Sequence, residues 1–219
     1  MIFSIPQLLS PEQLQYLTDA LATAEFVNGK VTAGWYAKQV KHNQQLAGQG
    51  DKSQELQAFV KNILHHNPLF QTATRPRAIH SILFSRYEIG MSYGRHTDNA
   101  LMGPWRSDIS FTVFLSTPQG YGGGELVVEE ADDERAYKLE AGSAIVYPAS
   151  TLHRVEPVTE GTRLVAVGWV QSWVRDAHCR EILFDLETAR RSLFAQQGKT
   201  EEFDLISKSL TNLLRQWAE

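Results

Sequence analysis

Asp108-Ile109-Ser110-Phe111-Thr112-Val113-Phe114-Leu115 has a period of two: Ile109, Phe111, Val113 and Leu115 alternate with Asp108, Ser110, Thr112 and Phe114. Such alternation sorts side chains onto the two faces of an extended strand. Outward from it, Leu126 to Val128, Ala144 to Tyr147 and Leu164 to Val170 are further short β-prone runs. Turn residues separate them: Pro118 to Gly124, Asp132-Asp133, Gly142, Pro148 and Gly161. Many short strands with no helix between them predict an antiparallel sandwich or barrel, not alternating β-α-β units.

Helical spacing flanks this region. Ser10-Pro11-Glu12-Gln13 predicts a capped helix start, with Leu14, Leu17, Leu21 and Ala24 following. A second helix is expected from near Ser53, with Leu56, Phe59, Val60 and Ile63 on its apolar face. Residues 28 to 50 read as a strand followed by a polar loop. After about residue 176, Ile182, Leu186, Ala189 and Leu193 form one helical face. Gly198 interrupts, and Phe203, Ile206, Leu210, Leu213 and Trp217 form another. Three regions are therefore expected: an N-terminal helical and strand support (1-77), a β-rich domain (78-174) and a C-terminal helical extension (175-219). The C-terminal pair suits either packing on the β-core or a homo-oligomer contact.

Composition narrows the function classes. The 219 residues are 42% hydrophobic and 21% charged, which excludes wholesale disorder. A net charge of -4, with no basic stripe, argues against a nucleic-acid or anionic-membrane binder. No run approaches the roughly 20 apolar residues that span a bilayer. MIFSIPQLLS lacks the basic and apolar regions of a signal peptide. Cys179 is the sole cysteine, which rules out an intramolecular disulfide and a thiolate metal cage. The expectation is a soluble, cytoplasmic protein.

His96-Thr97-Asp98 precedes the first alternating run, His153 precedes the last, and Arg163 opens that last run. In extended backbone, His96 and Asp98 would share a face. Two imidazoles and a carboxylate suit Fe(II) and leave part of its coordination sphere open. A lone His-x-Asp arises by chance, and His153 alone would read as an ordinary hydrogen-bonded histidine. The combination carries the metal reading. An arginine in a buried strand is unfavourable unless paired, and a guanidinium binds a carboxylate through two parallel hydrogen bonds. Without the triad, Arg163 would read as a strand-end residue reaching solvent or a nearby Glu.

Arg86 to Asn99, RYEIGMSYGRHTDN, matches at every fixed position the Tyr-x-x-Gly-x-x-Tyr-x-x-His-x-Asp signature of the prolyl-4-hydroxylase-like branch of the 2-oxoglutarate/Fe(II)-dependent dioxygenases. Tyr121-Gly122-Gly123-Gly124-Glu125-Leu126 is similar to that branch's Gly-Gly-x-Leu segment. With Asn43-Gln44-Gln45-Leu46 and the overall layout, the chain resembles the bacterial PKHD-type hydroxylases. The resemblance implies a mainly β fold, a double-stranded β-helix (jelly-roll barrel) flanked by N-terminal helices and a C-terminal helical hairpin. It implies Fe(2+) on His96, Asp98 and His153, 2-oxoglutarate on Arg163, and L-ascorbate as reductant. Tyr87 resembles the family tyrosine near the co-substrate, or is a core aromatic; Tyr93 is expected to support the barrel wall. The implied reaction consumes 2-oxoglutarate and O2, releases succinate and CO2, and hydroxylates an unactivated C-H bond of an unknown primary substrate, peptidyl-prolyl or iron-chelator-related. Two alternatives stay open at this point, a non-catalytic iron/2-oxoglutarate sensor and a cupin-like metalloprotein. His80 is expected to be a packed strand residue, His65-His66 to end a helix, and His42 and His178 to lie at the surface. Leu101 to Arg106 is either a substrate lid or packing under the barrel, and Glu129 to Glu134 a solvated hairpin.

Overall fold

The computed structural model describes every residue except 33, 36, 48 and 49. In chain order its elements are β1 (Phe3–Ile5), α1 (Pro11–Ala22), β2 (Phe26–Asn28), β3 (Lys41–His42), β4 (Gln44–Leu46), α2 (Asp51–His66), α3 (Pro68–Thr74), β5 (Pro76–Tyr87) and β6 (Ser92–His96). Then come β7 (Leu101–Met102), β8 (Trp105–Arg106), β9 (Ile109–Phe114), β10 (Tyr121–Gly123), β11 (Leu126–Glu129), β12 (Glu134–Tyr137), β13 (Ala144–Pro148), β14 (His153–Val155), β15 (Val158–Gly161), β16 (Arg163–Ser172), α4 (Ala177–Gln197) and α5 (Glu201–Trp217).

Two antiparallel sheets face each other. The larger has the order β1-β13-β9-β16-β5-β4-β2, the smaller β12-β11-β14-β6-β3. The non-sequential strand orders are those of a jelly roll, which keeps both sheets around one interior. The alternation in β9 sorts its residues between two cores. Ile109, Phe111 and Val113 pack outward with Leu17, Leu56, Val60 and Phe70 of the N-terminal helices. Phe114 points inward with Leu126, Val128, Ile145 and Val165. Ser110 and Thr112 are buried although polar, because that face lines the barrel interior rather than solvent.

The first helix starts as expected. Ser10 Oγ accepts from the Gln13 amide, and the Gln13 side chain accepts from the Ser10 amide. The helix ends at Ala22, so Ala24 lies beyond the predicted face. The second begins at Asp51, ahead of Ser53. The stretch expected to be a strand and a loop differs more: it holds two 3-10 turns and the short strands β3 and β4. These strands escape a hydrophobic-periodicity reading because their inward residues, Lys41 and Gln45, are polar and buried. Residues 33, 36, 48 and 49 of that stretch lie outside the described residues. Helix α3 was also not legible as a helix, although Asn67 caps it and Pro68 opens it.

The C-terminal helices form a hairpin broken at Gly198, whose φ is 71°. Val174, Leu183 and Leu210 are its buried apolar centre. Of the expected face of α4, Leu186 packs against this centre and Ile182 and Leu193 are half-buried, while Ala189 is exposed; the buried residues of the helix are Arg180, Leu183 and Glu187. Arg180 is buried although charged, because its Nη1 donates to the carbonyls of Val174 and Arg175. No helix among the described residues is long and apolar enough to cross a membrane.

Candidate metal centre

β6 ends at His96 and β14 begins at His153, and the antiparallel register sets these residues directly opposite one another. Their ring centroids are 4.3 Å apart. Asp98 comes to them from beyond the strand. The extended-face expectation is thus corrected: β6 stops at His96, and the carboxylate arrives from the loop that follows. One ligand atom from each of His96, Asp98 and His153 lies within 4.8 Å of the others. His153 Nε2 is 3.8 Å from Asp98 Oδ2.

Neighbouring groups orient each member. His96 Nδ1 lies 2.8 Å from the Gly94 carbonyl and His153 Nδ1 lies 2.9 Å from that of Thr151. A carbonyl only accepts, so both Nδ1 atoms carry the proton and both Nε2 lone pairs are left for a ligand. Ser110 Oγ donates to Asp98 Oδ2 at 2.5 Å. The Tyr93 ring stacks on His96 with centroids 3.6 Å apart, so it supports that imidazole as well as the wall. Burial, reinforced by His153 and opposed by Asp98, pushes the His96 imidazole down to about 4. It is therefore neutral near pH 7, the form that can coordinate a metal.

The cluster opens into a cavity of about 630 Å³. Arg163 lines it and is only 1% exposed. It pairs across the sheet with Tyr87, and its guanidinium carbon lies 5.0 Å from the Tyr87 ring and 5.6 Å from Phe114. Its Nε has no hydrogen-bond partner, and among the described residues no carboxylate forms a salt bridge with it. Burial pushes the Tyr87 phenol up, against the pull of Arg163. A buried, unneutralised guanidinium facing a cavity is suited to an incoming carboxylate.

Sequence reasoning missed Lys41. It is 5% exposed, lines the same cavity, and donates from Nζ to Thr32 Oγ1 at 3.1 Å. Burial pushes its ammonium down to about 8, with Asp98 opposing. The only available signal was the alternation of Lys41, Asn43 and Gln45, which looks polar and surface-like without knowledge of the interior.

The remaining histidines stand apart from the cluster. His80 is packed, with Nε2 3.3 Å from the Arg106 carbonyl and its ring stacked on Trp105. His65 and His66 end α2, and His42 and His178 are exposed. Leu101 to Arg106 forms the β7–β8 hairpin: Leu101, Met102 and Gly103 border the cavity while Trp105 packs on His80. Glu129 to Glu134 is the hairpin turn between β11 and β12, with its tip exposed.

The family model of the 2OG-Fe(II) oxygenase superfamily matches residues 82–171, the stretch holding both histidines, Asp98 and Arg163. A PKHD-type hydroxylase of Gloeothece citriformis is 67% identical, covering 100% of both chains. Another from a Picosynechococcus species is 64% identical, again over 100% of each. The chain belongs to the PKHD-type hydroxylases. It is a 2-oxoglutarate/Fe(II)-dependent hydroxylase, and the sensor and cupin alternatives give way. A prolyl-4-hydroxylase from Pseudomonas putida superposes with a TM-score of 0.56 at 20% identity, covering 78% of this chain and 92% of that one. That likeness concerns the fold, a double-stranded β-helix in both.

Proposed function

We propose that His96, Asp98 and His153 hold the Fe(II) of this hydroxylase, and that Arg163 binds the far carboxylate of 2-oxoglutarate with Tyr87 beside it. The observation that carries this is the convergence of three ligand atoms within 4.8 Å, with both imidazole Nδ1 atoms committed to backbone carbonyls. The donor set also fits ferrous iron: two imidazoles and a carboxylate, without thiolates. When bound, the iron supplies the oxidising chemistry by which 2-oxoglutarate and O2 become succinate and CO2 while an unactivated C-H bond is hydroxylated.

The chain's own residues position the reactants. Gly94 and Thr151 hold the imidazoles, and Ser110 holds the Asp98 carboxylate through Oδ2. Arg163 orients the co-substrate by its far end, so that its near end can face the metal ligands. The walls contributed by buried Tyr147 and Val155 and half-buried Tyr93 limit water around them.

L-ascorbate is proposed as the reductant that restores ferrous iron. The primary substrate is read as peptidyl-prolyl or iron-chelator-related, on the family branch. A cytoplasmic location is proposed from the lone Cys179 and the need for reduced iron. Exposed Phe194 and Leu205 support a homo-oligomer contact through α4 and α5.

The test is an anaerobic Fe(II) titration with and without 2-oxoglutarate, read by the weak visible charge-transfer band of the chelated complex. Wild type is expected to give the band, His96→Ala to lose it, and Arg163→Ala to require more co-substrate. A band unaffected by His96→Ala would reject the ligand assignment.

A further inference from the structure

Among the described residues that line the cavity, Lys41, Asp98 and Arg163 are the lysine, arginine and acidic side chains. In the reading above, the charges of the iron and Arg163 are matched by those of Asp98 and the two carboxylates of 2-oxoglutarate. Lys41 is left over. It is 95% withdrawn from solvent by its 5% exposure, and among the described residues no carboxylate forms a salt bridge with it. A buried ammonium without a counter-charge is unfavourable, and such residues persist where a ligand completes them.

Its position connects that charge to the reaction site. Lys41 pairs across β3 and β6 with Tyr93, and its Nζ lies 5.1 Å from the Tyr93 ring centroid. The same ring stacks on His96. The ammonium is thus one aromatic ring away from a proposed iron ligand. Arg163 belongs to a different sheet, where it faces Tyr87. Among the described residues, Thr32 is the hydrogen-bond acceptor of Lys41 Nζ, which leaves donor capacity for a ligand.

We propose that Lys41 is a specificity-determining residue that binds a carboxylate of the primary substrate, so that the molecule hydroxylated is an acid. The inference rests on the Fe(II) and 2-oxoglutarate reading above. Once those occupants are in place, the cavity holds one uncompensated positive charge, and an incoming carboxylate neutralises it close to the metal. Neutral analogues of the same shape leave it unpaired, which is how a buried polar group rejects the wrong ligand.

The experiment uses anaerobic full-length protein loaded with Fe(II) and saturating 2-oxoglutarate. N-acetyl amino acids and short peptides are titrated in as free acids and as the matching primary amides, and the shift of the charge-transfer band is followed. Free acids are expected to shift the band with an apparent affinity about tenfold or more above the amides, or about 1.4 kcal/mol. Lys41→Met is expected to abolish that preference and Lys41→Arg to retain it, with the band itself present in both variants. Equal affinities for acids and amides in wild type, a preference that survives Lys41→Met, or no response to any acid overturns the proposal. So does loss of the band in Lys41→Met, which would assign the lysine to the co-substrate. Acids that abolish the band rather than shift it would be displacing 2-oxoglutarate and also count against it. Absence of the band in loaded wild type is a different failure, that of the metal and co-substrate reading.

Discussion

Ser110 donates to Asp98 Oδ2, the oxygen that also lies 3.8 Å from His153 Nε2, and so holds the carboxylate in its place beside the imidazoles. Removing that hydroxyl frees the carboxylate to rotate, and loss of such a supporting partner lowers metal affinity about 10–100-fold. Ser110→Ala is therefore expected to weaken Fe(II) binding by that factor in an anaerobic titration, with little change in unfolding midpoint. Lys41 has a second measurable consequence. Its folded pKa of about 8 lies below the 10.5 of an unburied lysine. Between those values the unfolded chain holds a proton that the folded one lacks, so stability rises with pH. This contribution is complete above 10.5 and lost as pH falls through about 8. Lys41→Met in metal-free protein is expected to flatten the rise and to stabilise the fold near neutrality by on the order of 2 kcal/mol. Urea unfolding across that pH range checks both statements. His96, Asp98, His153 and Arg163 stood out in the chain as candidates because metal and carboxylate binding demand particular side chains, and the fold brings all four to one cavity. Ser110 and Lys41 did not, since a serine or lysine acquires its role only from what lies across the sheet.

Strands were legible where a run of several residues met an apolar core; β1, β14 and β15 were too short to show a pattern, although Ile5, Val155 and Val158 are core residues. β9, β11, β13 and β16 follow their alternation or apolar runs, because the helices or the opposite sheet cover them. β3 and β4 were not, since their inward residues serve a polar cavity and imitate a loop. β16 also shows how tightly the elements fit. Gly168 lies opposite Phe111, and a Cβ built there would stand 2.5 Å from Phe111 Cζ and 3.0 Å from Ile82 Cγ1. The ring cannot retreat freely, because it is buried and in edge contact with Phe70 of α3. Gly168→Ala is expected to destabilise by about 1–3 kcal/mol through overpacking, seen as a lower denaturant midpoint. A shift to higher stability would show that this sheet–helix layer has slack.

At the scale of the molecule, the C-terminal hairpin is tied to the barrel end by both apolar and polar contacts. Leu183 is fully buried with Val174 and Leu210, and its carbonyl accepts from Arg75 Nη2. Arg106 reaches from β8 to the carboxylate of Glu219, and Val174 bridges to Ala218. Leu183→Ala is expected to destabilise by about 2–5 kcal/mol in equilibrium unfolding. Under native conditions the charge-transfer band should persist, since Leu183 does not line the cavity. Loss of the band in folded Leu183→Ala protein would mean that the hairpin shapes the site.

The chemistry-bearing residues and the strand pattern along the chain pointed to the reaction class and to an antiparallel sandwich or barrel, with the jelly roll implied by the family resemblance. Both depend on local properties: side-chain identity at a motif, and the two-residue period of strands flanked by turns. Tertiary structure decided what depends on adjacency between distant segments. The strand register sets His153 against His96, a loop rather than a strand delivers Asp98, and a charged residue, Arg180, is buried on α4. It also placed Lys41 inside the cavity, where burial makes an ordinary surface residue type an unpaired charge. Burial and proximity are properties of the folded chain alone, and they set the electrostatics through which substrate choice is made.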